Sequence, residues 1–332
     1  MQLSKMENQP KEYLVLLYYC FTPIEDAPKF REEHHKLCLD LNLRGRIIVA
    51  DEGLNGTVSG LRADCEKYME TVKADPRFEA LEFKIEEAED HTFRKLNVRY
   101  KREIVNAGLP EIKPYERTGK HLEPAEFKAM KDNEDVLIVD MRSKYESNLG
   151  HFKNAFCMDI DNFRELPEKV QELEKYKDKK ILTYCTGGIK CEKASAFLLE
   201  QGFEDVYQLH GGIIKYGLEE GGEDFEGKCY VFDNRVAVDV NTINPSIVST
   251  CTVCGTPSEH MVNCANTVCN KHTIICESCM DEMEGTCSDE CKSAPTKRAY
   301  NPEGYYAKEQ NGYNPYKGSK RGHEAPFVSQ CE

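Results

Sequence analysis

The sequence predicts three folded parts: an α+β part, an α/β part and a small cysteine-rich module. Three observations predict this. A chain of 332 residues is long enough for two or three domains. Strand-like and helix-like segments alternate in two different patterns over the first 241 residues. Half of the 16 cysteines fall between Cys251 and Cys291. Each part therefore needs its own interpretation.

The first part, residues 1–115, is predicted to be a ferredoxin-like domain. Its predicted elements are, in order, the strand Tyr13–Phe21, the helix Ala27–Leu41, the strands Arg46–Ala50 and Thr57–Ser59, the helix Arg62–Lys73 and the strand Leu81–Ile85. The stretch between the second and third strands is rich in turn residues and is expected to be a loop. The order β-α-β-β-α-β is typical of the ferredoxin-like arrangement.

A cluster of cations follows the last of these strands. Five cations fall within nine residues, with Phe93 and Tyr100 interleaved: Arg94, Lys95, Arg99, Lys101 and Arg102. The cluster has two interpretations, a solvated connector or a surface that binds the phosphates of a nucleic acid. Both stay open at this point.

The second part, residues 120–241, has the pattern of an α/β domain. Val136–Asp140, Ile181–Tyr184 and Val206–Leu209 are continuous apolar runs, as expected of buried parallel strands. Helices are predicted at Glu123–Lys131 and Glu192–Gln201. A parallel sheet flanked by helices follows from this alternation.

One cysteine of this part lies at a turn between a strand and a helix. Cys185 directly follows the second apolar strand, and Gly187 and Gly188 allow the backbone to bend so that several N–H groups point to one place. The helix dipole and Lys190 add positive potential there. These features favour a thiolate, the nucleophilic form of cysteine. The alternative is a buried cysteine beside a turn with no chemical role.

The third part, residues 245–295, carries eight cysteines, and two Cys-x-x-Cys pairs among them indicate zinc. A plausible pairing places Cys251, Cys254, Cys276 and Cys279 on one ion and Cys264, Cys269, Cys287 and Cys291 on a second. His272 is an alternative ligand. Four thiolates leave no open coordination position, so a structural role is expected. Reduced thiols without metal are the alternative.

Composition narrows the class of protein further. Lys and Arg number 44 against 58 Asp and Glu, which gives a net charge of −14. No apolar run approaches the roughly 20 residues needed to span a bilayer, and the N-terminus lacks the apolar core of a signal peptide. We therefore expect a cytoplasmic protein with no membrane or DNA partner. The tail, residues 296–332, is expected to be poorly ordered.

Several motifs of the second part resemble a rhodanese domain in their order. They are Val139-Asp140-Met-Arg142, Tyr145-Glu146, Gly150–Ala155, the Cys185 loop and Leu209–Gly212. The resemblance implies that Cys185 is the nucleophile and that Thr186, Gly187, Gly188, Ile189 and Lys190 complete its loop. Phosphatases of related fold need a longer loop ending in arginine, which argues against phosphatase chemistry.

The chain from about Tyr13 to Cys291 resembles the bacterial tRNA uridine hydroxylase family. The motifs that carry the resemblance are Ala50–Val58, Phe93–Arg99, Cys185–Lys193 and the cysteine-rich end. It implies oxygen-dependent formation of 5-hydroxyuridine from the wobble uridine, position 34, with molecular oxygen as co-substrate and the tRNA anticodon loop as partner. Lys190 departs from the family, whose members usually carry arginine there, so anion recognition is expected to differ.

Cys185 is the only reactive group that the sequence supports, because no flavin, nicotinamide or haem motif is present. We hypothesise that its thiolate adds to the uracil ring, or carries an oxidised or persulfide sulfur. Cys191 is either a resolving thiol or a packed helix residue. The five cations, Arg94 to Arg102, would then hold tRNA phosphates. The alternatives are a thiosulfate or persulfide sulfurtransferase and a zinc-dependent interaction protein.

Overall fold

The computed structural model describes residues 11–233 and 235–300. The chain divides after Val105 into two compact units. Of the predicted poorly ordered tail, residues 301–332 lie outside the described part. Within the described residues no helix has the length and apolar character needed to cross a membrane.

The first unit is a five-stranded sheet with two long helices. Its elements are β1 (Tyr13–Phe21), α1 (Ala27–Asp40), β2 (Arg44–Ala50), β3 (Gly53–Leu61), α2 (Arg62–Lys73), β4 (Lys84–Ala88) and β5 (Leu96–Tyr100). The strand order is β4-β1-β3-β2-β5. Alternate residues of the strands, such as Leu16, Val58 and Ile47, form the core with the buried residues of α1 and α2. The predicted α+β architecture is confirmed.

The fifth strand is the main difference from the predicted element order. β5 pairs in parallel with β2 at the edge of the sheet, with Ile47 opposite Val98 and Ile48 opposite Arg99. The sequence alone suggests a connector or a binding surface for this cation-rich stretch. It forms a strand because Val98 alternates with polar neighbours and adds a buried apolar side chain to the core.

The third strand begins at Gly53, whereas the sequence predicts a loop up to residue 56. The glycines that suggest a turn serve a packing purpose instead. A Cβ atom at Gly56 would lie 2.3 Å from the hydroxyl of Tyr18, which is fully buried. Only glycine lets β3 run this close to the Tyr18 ring.

The second unit contains a parallel sheet and a cysteine-rich end. Its elements are β6 (Lys120–Leu122), α3 (Pro124–Met130), β7 (Val136–Asp140), α4 (Lys144–Ser147), β8 (Gly150–Phe152), β9 (Phe156–Cys157), α5 (Leu166–Lys169), β10 (Lys180–Tyr184), α6 (Ile189–Glu200), β11 (Val206–Leu209), α7 (Gly212–Glu220), β12 (Phe225–Gly227), β13 (Cys229–Tyr230), β14 (Ala237–Val238), β15 (Met261–Asn263), β16 (His272–Ile274), α8 (Glu277–Glu282) and α9 (Asp289–Ser293).

The parallel sheet has the order β6-β11-β10-β7-β9. Every neighbouring pair in it is parallel, as the continuous apolar runs predict. β10 is the central strand, with Ile181, Leu182 and Tyr184 fully buried. The carboxyl end of β10 therefore delivers Cys185 to the edge of the sheet where ligands of α/β proteins commonly bind.

Candidate active site and metal centres

The loop after β10 is held from behind by the first residues of α7. The N–H groups of Ile213 and Ile214 donate to the carbonyl oxygens of Cys185 and Thr186 at 3.0 and 3.1 Å. A Cβ atom at Gly212 would lie 2.5 Å from the Cys185 oxygen. Gly212 is therefore required for this close approach, and the two hydrogen bonds fix the loop to the helix behind it.

Cys185 sits in a ring of hydrogen-bond donors. Its Sγ accepts from the N–H of Gly188 at 3.2 Å. Gly188 has a φ of 104° and forms the N-cap of α6, a conformation that favours glycine. Only 1 % of Cys185 is exposed. The sulfur therefore lies at the positive end of the α6 dipole and out of bulk water.

The pKa of Cys185 is lowered to about 6 by its surroundings. Burial is the largest single effect and raises the pKa, because it disfavours the charged form. The hydrogen bond from the Cys191 thiol, the charge of Lys190 and the N–H groups of Cys191 and Gly188 together outweigh burial. Cys185 is therefore largely a thiolate at neutral pH.

Cys191 is the hydrogen-bond partner of Cys185 and is itself protonated. It is fully buried on α6. Burial and the hydrogen bond to Cys185 raise its pKa well above the ordinary value. Cys191 can therefore keep its proton and donate a hydrogen bond to the Cys185 thiolate.

Glu146 belongs to the Tyr145-Glu146 motif, but the sequence analysis gives it no role at this site. Its side chain is fully buried, and its Oε2 lies 2.5 Å from the ammonium of Lys190. The same oxygen accepts from the N–H of Ser143 at 3.1 Å within a capping box. The Ser143-x-x-Glu146 spacing is the available signal. Lys190 is thus ion-paired with Glu146, which holds its ammonium beside the Cys185 loop.

A second buried ion pair supports the end of β7. Asp140 and Arg142 have side chains with no exposure and lie 2.5 Å apart. The Tyr184 hydroxyl donates to Asp140 at 2.7 Å, and Arg142 donates to the Gly150 oxygen at 2.6 Å. This network joins β7, β8 and the residue before Cys185. The Val139–Arg142 motif therefore has a structural role, because its Asp140 and Arg142 belong to this network.

Eight cysteines of the second unit form two clusters. In each cluster all four sulfurs lie within 4.8 Å of one another. The clusters are the two groups that the sequence suggests, Cys251, Cys254, Cys276 and Cys279, and Cys264, Cys269, Cys287 and Cys291.

The spacing of these sulfurs fits a tetrahedral metal site. The Sγ atoms of Cys254 and Cys276 are 3.6 Å apart, as are those of Cys269 and Cys287. Zinc–sulfur bonds of about 2.3 Å in a tetrahedron imply sulfurs roughly 3.8 Å apart. A disulfide needs about 2.05 Å, which excludes disulfides here. Both clusters could hold a metal ion.

Three family models match the chain. The UPF0176 acylphosphatase-like domain matches residues 13–104, the rhodanese-like domain residues 123–219, and the rhodanese C-terminal model residues 226–292. The tRNA uridine(34) hydroxylase of Cytophaga hutchinsonii is 66 % identical over 94 % of this chain and all of its own length. The chain belongs to the tRNA uridine(34) hydroxylase family.

Two further relatives of the same name are similar over most of their length. The Enterococcus faecalis protein is 50 % identical over 86 % of this chain and 92 % of its own. The Bacillus licheniformis protein is 50 % identical over 87 % of this chain and 90 % of its own. The resemblance inferred from the motifs is thus confirmed.

In this family member the cysteine-rich module packs beside the Cys185 loop. The ring of His272 stacks on Tyr145, with centroids 4.3 Å apart, and both rings contact Tyr230 edge-on. His272 lies in neither sulfur cluster, so its suggested role as a ligand is replaced by this stacking. Tyr145 directly precedes Glu146, the partner of Lys190. A continuous series of contacts therefore connects the module to the loop.

The five predicted tRNA-binding cations are all exposed in the first unit. Arg99 lies on β5, where its Nε donates to Asn97 at 2.8 Å. Arg94 and Lys95 precede the strand, and Lys101 and Arg102 follow it. The edge position of β5 leaves this basic strip at the surface of the sheet.

The first prediction concerns the ionisation of Cys185. We expect its alkylation by iodoacetamide, followed peptide by peptide with mass spectrometry, to rise with pH around a midpoint near 6. Above that pH the thiolate is populated, and below it the thiol. Replacing Cys191 with alanine removes a donor to the thiolate and is expected to raise the midpoint by at least about one pH unit.

Cys157 provides an internal control in the same digest. Burial raises its pKa to about 12, so its peptide should stay unmodified up to pH 8. A Cys185 midpoint at the ordinary thiol value of about 8.5 would show that the loop does not stabilise the thiolate. No change in Cys191→Ala would show that the Cys191 thiol does not contribute to that stabilisation.

The second prediction concerns the metal content. We expect about two zinc ions per chain by elemental mass spectrometry, since each cluster offers four thiolates. The double variant Cys254→Ser/Cys276→Ser should lose one ion and keep the other. Cys20→Ser, in the first unit, is the control and should keep both. Retention of both ions by the double variant would refute the two-cluster assignment.

Proposed function

We propose that this protein hydroxylates the wobble uridine of tRNA, position 34, to 5-hydroxyuridine in an oxygen-dependent reaction at Cys185. Its relatives carry the name tRNA uridine(34) hydroxylase. The observation that carries the proposal is the thiolate of Cys185, with a pKa of about 6, at the carboxyl end of the central strand of a parallel sheet. Addition of such a thiolate to C6 of a uracil ring makes C5 nucleophilic, so that C5 can react with oxygen.

The chemistry begins with addition of the thiolate to C6 of uracil. The new S–C6 bond moves the C5=C6 electron pair onto C5 and the C4 oxygen, as an enolate. C5 then attacks one atom of molecular oxygen and forms a C5 peroxide. Loss of the C5 proton and departure of the Cys185 thiolate restore the double bond. The second oxygen atom leaves as water, with two electrons and two protons from an external thiol reductant.

The burial of Cys185 bears on the order of these events. With 1 % of the residue exposed, a uracil ring reaches the sulfur only if side chains around the loop move aside. A small oxidant enters more easily than a nucleotide. Oxidation of Cys185 can therefore precede substrate binding: a peroxide would convert the thiolate to a sulfenic acid, and the Cys191 thiol would displace its oxygen as water to form a disulfide. Two equivalents of an external thiol would reduce that disulfide; this cycle protects Cys185 and does not itself hydroxylate uracil.

The basic strip on β5 is proposed to bind tRNA phosphates. Its cations are exposed on an otherwise acidic protein of net charge −14. Negative charge elsewhere would repel RNA and so favour binding at the strip. An anticodon loop exposes unstacked bases, so presenting the wobble base to a catalytic thiolate costs little. We infer a cytoplasmic site of action, where tRNA is found.

The sulfur clusters are proposed to bind zinc in a structural role. Cys251, Cys254, Cys276 and Cys279 would hold one ion and Cys264, Cys269, Cys287 and Cys291 the other. Zinc bound to four thiolates stabilises the local fold and has no open position for a substrate. The module would thereby hold His272 against Tyr145, beside the loop.

The second candidate function is transfer of sulfur from thiosulfate or a persulfide. The rhodanese-like domain model matches residues 123–219, and the Gly188 N–H that stabilises a thiolate would equally stabilise a persulfide on Cys185. The exposed basic strip favours the first candidate, because a small sulfur donor does not require a surface for phosphates.

The third prediction tests the reaction directly. Purified protein, unmodified tRNA, air and a thiol reductant should yield 5-hydroxyuridine, measured by nucleoside mass spectrometry. Cys185→Ser is expected to reduce the rate at least about 100-fold, since a nucleophile is removed. Cys20→Ser should react at the normal rate, and exclusion of oxygen should abolish the product.

Normal hydroxylation by Cys185→Ser would refute the role of this thiolate. If the wild-type protein makes no 5-hydroxyuridine but transfers sulfur from thiosulfate to cyanide through Cys185, the second candidate replaces the first.

The fourth prediction tests the basic strip. The variant Arg99→Ala/Arg102→Ala should bind tRNA at least about tenfold more weakly. The slope of log affinity against log salt should fall by roughly 0.7–0.9 for each phosphate that the variant no longer neutralises. Lys67→Ala/Lys73→Ala, exposed on α2 of the same unit, is the charge-matched control. Equal weakening in the control would show that total charge, and no local site, determines binding.

A further inference from the structure

An aromatic side chain beside the Cys185 loop is unusually exposed for its surroundings. Phe232 is 43 % exposed, whereas its neighbours Tyr230 and Val231 are 7 % and 6 % exposed. Single exposed apolar residues are common and need no explanation by themselves. Phe232 differs from such residues because its ring contacts a side chain of the Cys185 loop.

Phe232 touches the loop through Lys190. The ammonium of Lys190 lies 5.7 Å from the centroid of the Phe232 ring and 6.0 Å from that of Phe163. Lys190 belongs to the Cys185 loop, and its side chain is held in place by buried Glu146 at 2.5 Å. The exposed Phe232 ring therefore contacts a side chain that belongs to the same loop as Cys185.

The Phe232 ring is also in contact with packed aromatic residues. Tyr230 packs edge-on against it, with centroids 5.1 Å apart. Tyr230 in turn contacts Tyr145 and His272, whose rings stack on each other. An exposed ring held in this way loses little side-chain entropy when a ligand binds, which suits a binding surface.

We propose that Phe232 is the stacking platform for the target nucleobase of the RNA. A base that leaves its stack in the anticodon loop needs a replacement aromatic surface, and proteins that bind unpaired bases commonly supply one. The ring is apolar, exposed and next to the loop of Cys185. The inference rests on the proposed function, since it takes the uracil of tRNA as the occupant.

The test uses the absence of tryptophan from this chain. In Phe232→Trp the new indole is the only one, and a stacked base quenches its fluorescence. The probe is an anticodon stem-loop RNA with uridine at the wobble position, compared with the same RNA carrying an abasic site there. We expect quenching by the first RNA and at least about threefold less by the second, both at saturation confirmed by anisotropy of labelled RNA.

Leu218→Trp is the control variant. Leu218 is 62 % exposed and lies six residues after Gly212 on α7, roughly 9 Å along the helix axis. Its indole should show no difference between the two RNAs. Equal quenching of Phe232→Trp by both RNAs, or none at saturation, would overturn the proposal.

A kinetic measurement complements the fluorescence. Phe232→Leu keeps the apolar bulk but removes the aromatic face, and should lower kcat/KM for the stem-loop about tenfold. Phe232→Tyr should stay near the wild-type value. The alkylation midpoint of Cys185 should not change in either variant, which separates stacking from damage to the loop. Full activity in Phe232→Leu would contradict the platform.

The outcomes also separate this inference from the proposed function. Uridine-dependent quenching in a protein that makes no 5-hydroxyuridine supports the platform and refutes the reaction. Hydroxylation by the wild-type protein, with no uridine-dependent quenching in Phe232→Trp, supports the reaction and refutes the platform.

Discussion

The stabilisation of a buried negative charge on Cys185 is the constraint on which the second unit depends. Burial alone would keep the thiol protonated. The Gly188 N–H, the Cys191 thiol and Lys190 reverse this and lower the pKa to about 6. Each donor has to come from a fixed place: an N-cap glycine, a residue inside α6 and a paired lysine. The fold around β10 provides these places, and a flexible loop would not.

The charge of Lys190 connects the loop to the rest of the unit. Glu146 pairs with it, and Tyr145, the residue before Glu146, stacks on His272 of the cysteine-rich module. These contacts thus form one contiguous structure. It runs from the Cys185 thiolate through the Lys190–Glu146 ion pair and the Tyr145–His272 stack to the sulfur clusters. The module thus contacts, through His272, the residue next to Glu146.

Much of the fold follows from local patterns. The central strands are predictable because continuous apolar runs such as Val136–Asp140 have few alternatives to a buried parallel strand. β5 is not predictable in this way, because its many cations indicate an exposed segment, whereas Val98 is the single buried residue that makes it a strand. Gly53–Gly56 resembles a loop in sequence because glycine signals both turns and close packing, and only the Tyr18 ring across the sheet distinguishes the two.

The sequence by itself determined the nucleophile candidate, the thiols and the family, because these depend on residue types at short spacings. Which side chains meet across the chain was decided by the tertiary structure. The pairing of Lys190 with Glu146 spans 44 residues, and the approach of Phe232 to Lys190 spans a similar distance along the chain. Neither has a periodic signature in the sequence. Such contacts arise only when packing brings separate elements together, and they set the charge and exposure at the site.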